Sequence, residues 1–338
     1  MFLCAKNGGK PHRLPTGLAV VAALSLTAIS LGGSAIAASR GKSPSQQSFP
    51  SPQEAVAALA SAVKADNLVA LSAILGPESK EIISSGDDIA DKQGRERFVS
   101  LFEQKNGLKQ ETDRKAILTL GNDDWPFPIP LVKANGGWVF DTRAGKEEIL
   151  NRRIGRNELS AIQTCLAYVD AQREYASKDR DGDGVLEYAQ KFASASGKKD
   201  GLYWEAAENE ERSPLGPLAA RARKEGYPGA RDEHEAAPYH GYYYRILKAQ
   251  GRHAPDGAYE YTAGKDMIGG FALIAYPAQY GSSGVMTFMV SHHGDVYEKD
   301  LGRKTSAVAQ SMRIFDPDKT WRKVEPKYLE CSSEAHEN

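Results

Sequence analysis

The sequence predicts an α+β protein in which helices lead into a curved, cone-like antiparallel sheet, and a long helix then packs on a second antiparallel sheet. Three observations predict it. Apolar residues recur at helical spacing over 51–103, strand-like alternation takes over across 116–140, and one more helical stretch, 146–177, precedes a strand-rich region punctuated by glycine that runs to Trp321.

Taken in order, Ser51 can cap a first helix with Pro52 in its first position, and Ala55, Val56, Leu59, Ala60 and Val63 form its apolar stripe. A short second helix follows Asp66, using Leu68, Leu71, Ile74 and Leu75, and a third covers 91–103 with Phe98, Leu101 and Phe102. Alternation then gives strands over 116–120, 129–133 and 138–140, the last two joined by a tight Asn135-Gly136-Gly137 turn. Pro126, Pro128 and Pro130 place the first of that pair at an edge or limit its pairing. The 146–177 stretch reads as one long helix or as two joined near Gly155, with Leu159, Ile162, Leu166 and Val169 on its apolar face. Farther on, 198–204 is a turn and 213–227 carries a short helix with Pro214 near its start. Strands from 241 onward are joined by Gly-rich turns, notably His293-Gly294-Asp295.

The N-terminus speaks to location. Lys6, Lys10 and Arg13 precede an apolar run over 17–31, and Ala35-Ile36-Ala37 supplies the small-x-small pattern of a cleavage site. Residues 1–37 therefore read as a secretory signal peptide, and the protein as periplasmic or secreted, with no stable membrane span after cleavage. An uncleaved anchor is the rival reading; the Ser, Thr and Gly content and the cleavage pattern favour removal. Cys4 lies ahead of the apolar run, on the wrong side for a lipoprotein cysteine. The remaining chain divides into a flexible lead-in (38–48), a cone-like domain (49–145), a domain of long helix, acidic loop and antiparallel sheet (146–326), and a tail (327–338).

Losing Lys6, Lys10 and Arg13 with the signal leaves 40 basic against 44 acidic residues and no basic stripe, which disfavours nucleic acid as a partner. Cys165 and Cys331 then remain; they form a disulfide that staples the tail, or Cys165 is buried and Cys331 free.

The stretch DRDGDGVLEY is the one motif with metal-ligand spacing. Asp179, Asp181 and Asp183 take the first, third and fifth positions of an EF-hand-type loop, Val185 offers its carbonyl at the seventh and Glu187 stands at the ninth. The twelfth position is Gln190, not the bidentate glutamate of a full site, so any ion is held weakly. The expected cofactor is a structural Ca2+; the competing reading is a solvated acidic turn.

No catalytic set emerges. His292 and His293 beside Asp295, with His240 and His234 elsewhere, raise metal or acid-base chemistry, but neighbouring residues of a strand face opposite ways, so exposed turn histidines are expected. Ser282 and Ser283 lack a nucleophile elbow. Asp87, Asp88 and Asp91 read as a solvated loop capping the next helix, and Arg152, Arg153, Arg156, Asn157 and Glu158 as a hinge of ion pairs or an anion patch.

Several blocks together, RRIGRNELSAIQ, the DxDxDG loop with EYA, DGLYW, SPLGPL, HGYYYRILKAQG, MIGGFALIAYPAQYGSSGVMTFMVS and GDVYEKDLG, resemble the signature of the bacterial exported family called domain of unknown function 2950. That resemblance implies an exported Gram-negative protein and brings no established reaction. The N-terminal half is similar to nuclear-transport-factor-two-like folds in element order, and the C-terminal half to pilin-like globular modules. Charged residues Lys146, Glu147, Glu148, Arg152, Arg153 and Arg156 stand where a pilin helix is apolar, which argues against filament assembly. Two functions follow. The first is a non-enzymatic binding or scaffold module of the cell envelope, its partner an envelope protein or small ligand; the second is a hydrolase or other enzyme with a site between the two domains.

Overall fold

The computed structural model describes residues 46–325 apart from 135, 208 and 229–236. The stretch read as a signal peptide, Cys4, His234, Cys331, the tail and Asn135 of the predicted turn lie outside the described residues.

The N-terminal part builds one core. Helix α1 (Pro52–Lys64) begins as read: Ser51 Oγ accepts from the Glu54 N–H, and Pro52 sits where no intrahelical donor is needed. Its buried face holds Ala55, Val56, Leu59, Ala62 and Val63, with Ala62 in place of the expected Ala60. Helix α2 (Leu68–Leu75) is capped by Asn67 and buries Leu71, Ile74 and Leu75, while Leu68 is exposed. After α3 (Lys80–Ile83), α4 (Asp88–Gln104) starts three residues earlier than expected because Asp87 is its cap. Strands β1 (Asn106–Thr112), β2 (Lys115–Leu120), β3 (Trp125–Pro126), β4 (Leu131–Ala134) and β5 (Gly137–Phe140) form an antiparallel sheet in the order β1-β2-β4-β5, with β3 on β2. The prolines limit the pairing of the first strand of the expected pair, cutting it to the two-residue β3 and the four-residue β4, but β4 lies between β2 and β5 and not at an edge. Strand β1 was not legible, since it is mostly exposed on both faces and carries no alternation.

Helix α5 (Thr142–Tyr175) is one continuous helix of 34 residues, about 51 Å long at 1.5 Å per residue, with no break at Gly155. It is shared by two cores: Ile149 packs against the first, and Ala161, Ile162, Cys165, Tyr168, Val169 and Tyr175 belong to the second. Cys165 is fully buried there, and burial pushes its thiol up to about 12.

The C-terminal part adds α6 (Gly216–Lys224), with Pro217 in its first turn and Pro214 just ahead of its start. There follow β6 (Tyr242–Leu247), the short strands β7 (Ala249–Gln250), β8 (Tyr259–Glu260), β9 (Thr262–Ala263) and β10 (Asp266–Met267), then β11 (Ala272–Pro277), β12 (Met286–Ser291), β13 (Val296–Asp300), α7 (Thr305–Ser311) and β14 (Arg322–Lys323). The main sheet is antiparallel in the order β14-β13-β12-β11-β6, and β7–β8 and β9–β10 are separate two-stranded ribbons. All six residues of β11 are buried, as befits an interior strand of a sheet packed against α5 and α7. The α+β class read from the sequence is the class of the structure. Among the described residues no helix is long and apolar enough to cross a membrane.

Candidate functional site

The acidic loop leaves the C-terminal end of α5, and Arg180, its second residue, anchors it. The Arg180 side chain is 3% exposed, donates to the Tyr175 and Glu174 carbonyls and to Glu211 Oε1, and lies over the rings of Tyr175 and Trp204. Its alternate neighbours Asp179, Asp181 and Asp183 remain exposed, and one carboxylate oxygen from each lies within 4.8 Å of the others. Gly182 and Gly184, at φ +81° and +87°, bend the chain as only glycine does without strain. Their N–H groups donate to Asp179 Oδ1 (2.7 Å) and Oδ2 (2.9 Å), and these bonds, that from Gly184 first, hold the carboxyl below its usual range.

Asp183 Oδ2 accepts from the Lys265 ammonium at 2.6 Å, which holds that carboxyl down, while Oδ1 accepts from the Val185 N–H at 2.9 Å. The ninth and twelfth positions turn toward β10 instead. Glu187 Oε2 accepts from the Met267 N–H at 3.2 Å, and burial raises its carboxyl; Gln190 donates to the Lys265 carbonyl at 2.6 Å. The structure therefore brings Asp179, Asp181 and Asp183 together, places half-buried Val185 beside them, and draws Glu187 and Gln190 to the β9–β10 ribbon. An all-oxygen, acidic donor set suits a hard cation such as calcium, and Lys265 competes for one of its carboxylates. Lys265 was not foreseen, because it reaches the loop from 82 residues away.

Glu211 binds the loop from beneath, accepting from Lys178 (2.8 Å), Arg180 (2.9 Å) and Lys199 (3.0 Å), which hold its carboxyl at about 2. A depressed carboxylate contributes stability that is present above the unfolded value of 4.5 and lost as pH falls toward about 2. A third of the side chain is exposed, so solvent screens part of the effect. Glu211→Gln is expected to flatten the loss of stability between those two pH values in urea unfolding series, and an acid limb identical to that of the unsubstituted protein would contradict the assignment.

A second polar cluster lies where the loop ahead of α4 meets Tyr227 and Gly241, and here the sequence reading needs correction. Asp87 caps α4 through Oδ1 (Ala90 N–H, 3.0 Å) but is not solvated: it is 1% exposed, and Oδ2 accepts from the Tyr227 hydroxyl (3.0 Å) and the Gly241 N–H (2.7 Å). Asp91 Oδ2 accepts from the Ser85 N–H at 2.7 Å, and burial raises its carboxyl; Asp88 is exposed. Arg153 donates to the Glu81 and Ile82 carbonyls and to Ser282 Oγ, with Asp91 at 4.0 Å, and burial lowers its pKa. Asn157 donates to the Ser283 carbonyl, Glu158 Oε1 accepts from the Val285 and Met286 N–H groups, and Arg152 pairs with Glu148. Arg156 is exposed. Ser282 and Ser283 are buried, their hydroxyls bonded to the Glu81 and Gln279 carbonyls. His240, at φ +48°, sits among Tyr227, Tyr239 and Glu225, whose Oε2 is 3.0 Å from Nε2; burial lowers the pKa of the ring.

The histidine pair lies in a turn, as expected, but only one of the two is exposed. Strand β12 ends at Ser291, so His292 and His293 lie in a turn, their ring centroids 4.3 Å apart and the planes tilted by 37°. His292 is half-buried, and only His293, 3.2 Å from Asp256, is exposed; Asp295 pairs with Lys323.

The family described as "Protein of unknown function (DUF2950)" matches residues 46–324. The chain belongs to this family. The match takes in the acidic loop, the junction around Asp87 and both sheets. No curated protein and no solved structure matches the chain, so the partial likenesses to transport-factor and pilin-like folds stay expectations from the sequence.

Proposed function

We propose that the protein is an exported envelope module that binds rather than catalyses, and that its acidic loop takes a calcium ion that fixes the exit of α5. The observation that carries this reading is the convergence of Asp179, Asp181 and Asp183 within 4.8 Å on a loop anchored from below by Arg180. Three carboxylates so placed repel one another unless a cation lies among them. Export is supported by the order of charged, apolar and small residues over 1–37. The binding role is supported by the junction, where Asp87, Arg153 and Asn157 have their hydrogen bonds inside the protein, as a joint between two cores requires and an open hydrolytic site does not.

The test is a thermal melt with calcium and with chelator. With Kd on the order of 0.1–1 mM, as for weak extracellular sites, about 2 mM calcium is expected to add about 0.6–1.8 kcal/mol of stability. Asp181→Ala abolishes that gain, and Lys265→Met enlarges it by removing the competing ammonium. Magnesium substitutes poorly, since it demands a smaller octahedral shell. An unchanged melting point in the unsubstituted protein at millimolar calcium reduces the loop to an acidic turn.

A further inference from the structure

Beside the acidic loop lies a cleft of ≈ 230 Å³ lined by Tyr175, Tyr188, Lys191, Asp200, Glu187 and Lys248, with Ala189 and Gln190 completing its wall. Two of its four charges neutralise each other: Lys191 Nζ is 2.7 Å from Asp200 Oδ2. Among the described residues the other two have no countercharge of this kind. Lys248 Nζ bonds a neutral amide oxygen, Gln190 Oε1, at 2.9 Å, and Glu187 Oε2 accepts a backbone N–H, that of Met267, at 3.2 Å. Each side chain is thus held in place by a neutral partner while keeping charge and bonding capacity: an ammonium has two further donors, and a carboxylate one whole oxygen.

We propose that this cleft binds a small zwitterion of amino-acid to dipeptide size, its carboxylate on Lys248 and its ammonium on Glu187. A ligand carrying both charges neutralises both groups, whereas one carrying a single charge leaves the other group unpaired in a partly desolvated cleft. The volume lies below that of sites for drug-sized molecules and sets the size class. The Tyr188 ring, held edge-on against Phe271 at 4.8 Å, gives the cleft a fixed apolar wall. The inference rests on the reading of the protein as a binding module and is independent of calcium.

Titration of the full protein with alanine and with alanylalanine, followed by amide chemical shifts, tests it. N-acetylalanine, which lacks the ammonium, and alanine amide, which lacks the carboxylate, are the comparison probes. Saturable shifts are expected around Glu187–Lys191 and Lys248 with one or both zwitterions, with single-charge analogues at least about tenfold weaker. Lys248→Met, on an exposed side chain whose loss leaves the core untouched, is expected to weaken binding by about tenfold; Glu187→Gln does the same from the other end. The idea is overturned if neither zwitterion saturates the protein by about 20 mM, if the analogues bind as tightly, or if Lys248→Met binds as the unsubstituted protein does. The calcium response of Asp181→Ala is scored separately, so loss of the ion site and loss of the zwitterion site are told apart.

Discussion

Replacing Asp87 by alanine is expected to remove about 3–5 kcal/mol of unfolding free energy. The carboxylate has three donors, and each loses its partner in a different way. The Ala90 N–H is the orphan at the start of α4, and losing such a cap costs about 1 kcal/mol. The Tyr227 hydroxyl and the Gly241 N–H are buried against Oδ2 at 3.0 and 2.7 Å, and each costs about 1–3 kcal/mol when left unsatisfied. Asp87→Asn keeps the cap through its remaining oxygen but turns an NH2 toward two donors, so it is expected to lose most of the same stability. Urea unfolding measures both; a loss under about 1 kcal/mol for alanine would mean that water replaces the carboxylate and that the joint is not closed. A double-mutant cycle with Tyr227→Phe isolates the 3.0 Å hydroxyl bond.

How far the sequence disclosed this architecture depended on whether the cause of each element was local. Helix α1 was legible because its cap, its proline and its stripe all lie within thirteen residues, and the antiparallel β4–β5 pair because alternation and glycine mark it. Strand β1 was not, because a strand with both faces mostly in solvent has no apolar period; its order comes from pairing with β2. The start of α4 was placed three residues late because three aspartates shared the capping reading and only Asp87 is the cap.

The candidate site divides along the same line. Asp179, Asp181 and Asp183 could be read from spacing alone, since five consecutive residues and two glycines determine their convergence. What the spacing could not show is the company they keep: Arg180 stacked on Trp204, and Lys265 on Asp183. Asp87 is the sharper case. Aspartate ahead of a helix usually caps it from solvent, and the local reading was correct about the cap. Burial, though, is imposed by Tyr227 and Gly241, 140 and 154 residues further along the chain, and no local pattern carries that information. The histidine pair was read correctly as turn residues; what the local pattern could not show is that β12 stops one residue before His292, so the opposite-face rule of a strand does not separate the rings, and that His292 is half-buried.

Two glycines of α5 are expected to respond with opposite sign to the same substitution. In an exposed helix interior, alanine is preferred over glycine by about 1 kcal/mol, because glycine loses more backbone entropy on folding. At Gly155 nothing lies within 4 Å of an added Cβ, so Gly155→Ala is expected to stabilise the protein by about 0.5–1 kcal/mol. At Gly145, in the first turns of the helix, the added carbon would stand 2.5 Å from the Pro128 carbonyl oxygen and 2.8 Å from Ile129 Cα. Those atoms are backbone, and Ile129 itself is fully buried in the first core, so they cannot yield as a flexible side chain does. Overpacking of this kind costs about 1–3 kcal/mol and more when main chain must move, which exceeds the helical gain, so Gly145→Ala is expected to lose about 2–3 kcal/mol net. Chemical unfolding of the two variants side by side measures the contrast. Stabilisation by both would show that α5 does not approach the sheet as closely at Pro128 as the structure places it, and destabilisation by both would show that the helix bends at Gly155 after all.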